Sequence, residues 1–177
     1  VGFDVLLCID PDGHVRNENW FADPIDPAAY YRGFYRPGLA ECPDWDLPVD
    51  YANASGARLT RPSRLPESAA LQAALELSRP AALVALHNAE VGGVHFPVQQ
   101  LPAGAAQALT ALASSSGFEV EERMLDDLAA PALTPGVFAL PRFDEAYEAI
   151  LGSGHPDPAS LLPMGESAAS WAGSRYQ

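Results

Sequence analysis

The sequence predicts an α/β fold, a mixed and mainly parallel sheet with helices on both faces, within a single unit of 177 residues. Two observations predict it. Phe3–Ile9 and Ala81–Leu86 are short apolar runs almost without polar residues, the pattern of strands covered on both faces. Helical segments stand between and after them, and strands alternating with helices mark this class.

Each element follows from local chemistry. Phe3–Ile9 reads as the first strand, with Cys8 as a small core residue. Asp10-Pro11-Asp12-Gly13 ends it with turn chemistry. From His14 to Arg64 no periodicity persists. That stretch carries Trp20, Phe21, Tyr30, Tyr31, Phe34, Tyr35, Trp45 and Tyr51, and its aromatics predict an ordered surface layer. Pro66-Glu67-Ser68 opens a helix with proline in the first turn and a carboxylate at the positive dipole end. Leu71 and Leu75 give that helix its apolar face, and Pro80 closes it. Ala81–Leu86 is a strand ending at His87; Asn88 to Gly93 is a loop, and Val94–Val98 another strand. Pro102–Ser116 is a helix stopped by Gly117, and Phe118–Glu121 a strand. Phe143–Leu151 and Ser167–Arg175 are the last two helices.

Composition bounds the function. Hydrophobic residues make up 48% and charged ones 19%, enough for a core and too apolar for a disordered chain. The net charge of −13 opposes general affinity for nucleic acid or an anionic membrane, so neither is expected as a partner. No apolar run reaches the roughly 20 residues of a membrane span, and no basic leader precedes an apolar segment. Cys8 and Cys42 offer neither a disulfide framework nor a zinc ribbon. There is no phosphate-cradling glycine loop, and Gly165-Glu166-Ser167 lacks the Gly-x-Ser-x-Gly pattern of a nucleophile elbow. The chain starts in an apolar run at Val1, which leads us to expect a piece of a longer protein or a mature form after processing.

The most informative residue is His87. A histidine at the carboxyl end of a buried strand projects into the crevice where α/β proteins place their sites. Neutral imidazole is a good zinc ligand there. Asn88, Glu90, Gly92 and Gly93 follow it, two polar side chains and a glycine pair suited to a ligand-facing loop. His14, His95 and His155 form no His-x-x-Glu pair, so no complete metal motif exists in these residues. Arg32 and Arg36 flank Gly33-Phe34-Tyr35 and have two readings: a fork for a carboxylate or oxyanion, or surface stacking on aromatic rings. Asp10 and Asp12 are either a carboxylate pair for a metal or turn formers, and Glu119, Glu121 and Glu122 read as a solvated strand end.

The order of these features resembles the zinc carboxypeptidases related to pancreatic carboxypeptidase A, more closely a bacterial branch. Ile9-Asp10-Pro11-Asp12-Gly13 is similar to that family's strand followed by Asn-Pro-Asp-Gly, with Asp10 in place of Asn. Pro66-Glu67, the Ala82–Leu86 strand and His87-Asn88 resemble its helix leading to the strand that ends in the last zinc-binding histidine. Gly165 to Ala172 resembles its Gly/Ser-rich stretch. Leu86-His87-Asn88-Ala89-Glu90 with Gly92-Gly93 carries the likeness to the bacterial branch.

The resemblance implies that residues 1–177 are a partial catalytic domain, truncated at both ends. It implies Zn2+ as cofactor, His87 as third zinc ligand, and a peptide or acylated amino acid as substrate. Arg32, Arg36, Asn88 and Glu90 are the substrate-side candidates. The His-x-x-Glu ligands would precede Val1, and the general-base Glu would follow Gln177. Departures from the pattern are specific. Phe21 stands where the family places its oxyanion-stabilising arginine, and no Asn-Arg pair for a terminal carboxylate is visible. A non-catalytic relative binding peptide or glycan, and an acylamino-acid deacylase of the same superfamily, are therefore the alternatives to a carboxypeptidase.

Overall fold

The computed structural model describes residues 2–20, 26–86, 92–123, 130–162 and 165–176. It is α/β, with helices packed against two small sheets. Helices α1 (Pro11–Arg16) and α2 (Pro27–Gly33) lead into two 3-10 turns and a hairpin of β1 (Val49–Ala52) and β2 (Arg58–Arg61). Then follow α3 (Pro66–Ser78), β3 (Phe96–Val98), α4 (Ala105–Ser115), β4 (Ala132–Thr134), β5 (Val137–Ala139), α5 (Phe143–Gly152) and α6 (Ala168–Tyr176).

The single, mainly parallel sheet is replaced by two separate ones. The β1–β2 pair is antiparallel, and the second sheet has the order β3-β5-β4, parallel on one side of β5 and antiparallel on the other. One part of the expectation stands in outline: β3 lies within Val94–Val98 and α4 within Pro102–Ser116, but Phe118–Glu121 is not a strand and is joined only by a single parallel bridge from Val120 to Val94. Val94 N–H donates to the Glu119 carbonyl at 2.8 Å, and Glu121 N–H to Val94 at 3.0 Å.

Neither founding run is a strand. Residues 2–8 and 81–86 are irregular, with Phe3 and Leu7 87% and 94% exposed and Leu86 92%. Cys8 is exposed as well, which corrects its assignment to the core. The physical reason is that an apolar run carries no partner of its own. A strand exists only when a neighbour takes its backbone hydrogen bonds, and no backbone hydrogen bond joins these two runs to other described residues. Ile9 and Leu83 alone from these runs reach a core, formed by Leu47, Leu71, Leu75, Ala168 and Trp171.

The turn at Asp10 is instead a helix start. Asp10 caps α1 by accepting from Gly13 N–H at 2.8 Å, with Pro11 in the first turn, so the same residues serve a cap rather than a bend. The aperiodic stretch hides the hairpin. Val49 and Tyr51 point inward while Asp50 and Ala52 point out, and Asn53 closes the turn by accepting from Ser55 and Ala57 N–H. Gly56 takes φ +88°, the left-handed conformation such a turn needs. Helix α5 lays Tyr147 across Tyr51 edge to face at 5.0 Å, which makes the second core.

The helices α3, α4, α5 and α6 begin within three residues of expectation, since capping chemistry is local. In α3 the predicted Leu71 and Leu75 are buried, and Arg79 ends it at φ +43° just before Pro80.

What anchors α3 is a remote carboxylate. Asp46 is wholly buried and accepts from Arg64 N–H at 2.6 Å, Leu65 N–H at 3.0 Å and Arg64 Nε at 2.9 Å. Leu65 is the α3 N-cap and has no capping side chain of its own, so Asp46 does that work from 19 residues away. Burial works to raise the carboxyl pKa; the hydrogen bonds from Leu65 and Arg64 outweigh it and hold it below the ordinary value. Asp46→Ala should cost about 2–4 kcal/mol in urea unfolding at neutral pH, because it orphans two backbone donors. With a depressed folded pKa, this contribution is present above the unfolded value and is lost as pH falls through the folded one. The gap between wild type and Asp46→Ala should therefore narrow in acid.

Candidate functional site

The described residues near the amino end build one open cleft, of about 190 Å³. Asp10 and Asp12 of the α1 start, Arg16, Tyr35, Glu41 and Glu67 are its polar lining, with Pro37, Pro43 and Leu65 as its apolar wall. Asn17 holds the cleft together. Its side-chain amide donates to the Tyr35 carbonyl at 2.7 Å, and its Oδ1 accepts Tyr35 N–H at 2.8 Å. One amide thus replaces a strand partner and fixes the segment after α2 against α1. The Arg16 guanidinium then lies over the Tyr35 ring, 4.5 Å from its centre, and the Tyr35 hydroxyl reaches Glu41 at 3.4 Å.

Sequence reasoning missed Asn17. The signal was an Asn in the aperiodic stretch, and nothing local says which backbone it will bind.

Part of the predicted aromatic layer is present, while Tyr51, expected in it, is buried in the second core because it alternates inward on β1. Trp20 meets Tyr30 and Phe34 at ring separations of 4.9 and 5.0 Å, and Tyr30 stacks on Phe34 at 5.7 Å. Gly33 permits it, since a side-chain carbon there would come within 3.0 Å of the Trp20 backbone. Phe21, expected in the same layer, lies outside the described residues.

Arg32 sits in the last turn of α2 and pairs with the α2 cap Asp26 at 3.5 Å, both side chains well exposed. Arg36 is exposed three residues beyond α2. Its charge acts to lower the Cys42 pKa, but burial and the nearby Asp44 prevail and push the thiol up. Cys42 is therefore a protonated thiol at neutral pH and a poor nucleophile.

His87, Asn88 and Glu90 lie outside the described residues. The flank that follows them is described. Gly92 takes φ +92°, and a side-chain carbon at Gly93 would come within 2.6 Å of the Glu119 carbonyl. The glycine pair brings backbone close, as expected, but what it approaches here is the 119–121 strand. Glu121, read as a solvated strand end, accepts from Gly93 N–H at 3.1 Å; that bond and one from Arg123 N–H hold its carboxyl below the usual range.

His14 lies in α1, His95 just before β3, and His155 in the loop after α5. Among the described residues no three of His, Cys, Asp or Glu converge as a metal-binding group. The described donors do not by themselves fit a zinc chelate. Asp10 and Asp12, the carboxylate pair of the sequence reading, both line the cleft, and Asp10 also caps α1.

No protein-family model, curated protein or solved structure matches this chain.

Asp10 and Gly13 should behave as a coupled pair. A methyl group at position 13 would stand 2.1 Å from Asp10 Oδ2, so Gly13→Ala must expel the cap. Asp10→Ala alone should cost about 0.5–2 kcal/mol, and Gly13→Ala should add little in that background. A double-mutant cycle by thermal unfolding measures this; fully additive losses contradict it.

Proposed function

We propose that this chain is part of a zinc-dependent hydrolase of the carboxypeptidase type, acting on a C-terminal peptide bond or a related amide. The supporting observation is the order of motifs along the chain: Asp10-Pro11-Asp12-Gly13, then Pro66-Glu67, His87-Asn88 and the stretch from Gly165 to Ala172. The first two open helices here, α1 and α3, and the fourth runs into α6.

In this reading His87 is a ligand of the metal, and the other ligands and the general-base carboxylate come from outside Val1–Gln177. A bound zinc supplies a Lewis acid and a water acidified toward neutrality. The mainly parallel carboxypeptidase-like sheet belongs to the same proposal, with residues 3–9 and 82–86 pairing as strands in the longer chain.

Arg32, Arg36, Asn88 and Glu90 stand on the substrate side. Arg32 is suited to that part because its ion pair with Asp26 is exposed. Pairs of that kind are worth about 0–1 kcal/mol, so a substrate carboxylate can compete for the guanidinium at low cost.

A second reading is a non-catalytic relative that binds peptide or glycan on the aromatic layer. Tyr31 favours it: it is 63% exposed and meets Tyr30 edge to face at 5.4 Å, a ring presented to solvent. An acylamino-acid deacylase would be told from a carboxypeptidase by its preference for small acylated amino acids.

The test is zinc content and hydrolysis of the full-length protein, wild type against His87→Ala. We expect about one zinc per wild-type chain, and its loss, with activity, in the folded variant. Zinc retained by His87→Ala removes His87 from the site. Wild type without zinc that still binds peptide supports the second reading instead. Residues 1–177 alone should bind zinc weakly and hydrolyse nothing, and tight binding by that segment would refute the assignment of ligands outside it.

A further inference from the structure

Glu166 is a buried carboxyl for which the proposed chemistry has no use. Its side chain is 9% exposed. Its backbone is bridged to Leu47 in both directions, Leu47 N–H to Glu166 carbonyl at 3.0 Å and Glu166 N–H to Leu47 carbonyl at 2.9 Å. Gly165 lies so close to that segment that a side-chain carbon there would meet the Leu47 carbonyl at 2.4 Å. The backbone at Glu166 is therefore held in place on both sides.

The side chain joins three pieces of the fold. Oε1 accepts from Ser170 Oγ of α6 at 2.8 Å, and Ser170 Oγ in turn accepts Phe143 N–H, the first residue of α5, at 2.9 Å. Oε2 stands 3.9 Å from Arg175 Nη1 of α6, beyond hydrogen-bond reach. That guanidinium nitrogen donates instead to the Trp171 carbonyl and Ser174 Oγ, and the guanidinium lies over the Trp171 ring, 4.2 Å from its centre.

The charged groups facing Glu166 act in both directions. Arg175 on α6 and Arg142 at the α5 cap favour the anion, while Asp144 on α5 opposes it. On the bridged segment, Asp46 directs its carboxylate to Arg64 and Leu65. An ionised Glu166 thus has one hydrogen bond from the described residues where a carboxylate can accept about four, and a long ion pair with Arg175 at 3.9 Å in place of a charge-assisted hydrogen bond. Burial is accordingly the leading influence on its acidity and raises its pKa.

We propose that Glu166 is a pH-sensitive latch: protonated, it holds α6 and the start of α5 against the Leu47 segment, and ionised, it loosens them. The sign follows from linkage. A carboxyl with a raised folded pKa contributes stability that is full below the unfolded value and is lost as pH rises through the folded one.

The experiment is amide hydrogen exchange of the full-length protein between about pH 4 and about pH 8, as protection factors, with Glu166→Gln beside wild type. The amide keeps an acceptor for Ser170 and cannot ionise. Protection at the Phe143 N–H and along α6 should fall in wild type as pH rises, by roughly tenfold for each pKa unit of elevation. Glu166→Gln should show no such step and should be the better protected at neutral pH. Parallel profiles in the two proteins overturn the latch. If the variant does not fold, carboxyl NMR of the wild type decides: a Glu166 midpoint at or below the ordinary glutamate value overturns it, and one above supports it.

Discussion

The buried Asp46 carboxylate is the interaction on which most of this structure depends. It takes the backbone N–H groups of Arg64 and Leu65 together with the Arg64 guanidinium, and so sets where the hairpin ends and α3 begins. Taking a carboxylate out of water is costly, and only several charge-assisted hydrogen bonds in good geometry offset that cost. Arg64 also donates to the Ala40 carbonyl, which draws in the 3-10 turn of Leu39–Glu41. Ser68 Oγ, donating to the Pro43 carbonyl at 3.0 Å, ties the first turn of α3 to the next 3-10 turn. The first core then forms between Leu71 and Leu75 on α3 and Ala168 and Trp171 on α6.

Two buried carboxyls stand on one backbone crossing and are served unequally. Asp46 is saturated with donors, and its hydrogen bonds overcome the penalty of burial. Glu166, bridged to the neighbouring Leu47, has a single serine donor and a guanidinium just out of reach, and burial prevails. Similar residues thus carry opposite consequences: one is a structural anion, the other a group that gains by holding its proton. Number and geometry of donors decide between them, since both are almost wholly removed from solvent.

The amino-terminal cleft is organised by side-chain-to-backbone bonds more than by sheet pairing. Asp10 caps α1 and Asn17 binds the Tyr35 peptide unit from both sides, which lets a proline-rich stretch hold a defined surface without strands. The aromatic rings of α2 and Trp20 add contact area where no deeper core lies beneath them. This surface carries Arg32 and Arg36 and leaves them accessible.

The sequence by itself determined what local chemistry can encode. Proline and glutamate at the start of α3, the buried stripe of Leu71 and Leu75 and the glycine after α4 were all legible, because caps and periodicities act over a few residues. The hairpin was not read from the sequence: prolines and aromatics around Val49–Ala52 and Arg58–Arg61 obscured a strand pair of four residues each. Of the candidate site, Arg32 and Arg36 are exposed, while Asn17, Asp46 and Glu166 carried no local sign of their roles. Only tertiary structure decided whether Phe3–Ile9 and Ala81–Leu86 were strands, and it left both irregular. Apolar character favours burial, but a strand also needs a neighbour for its backbone, and a neighbour is a property of the assembled fold.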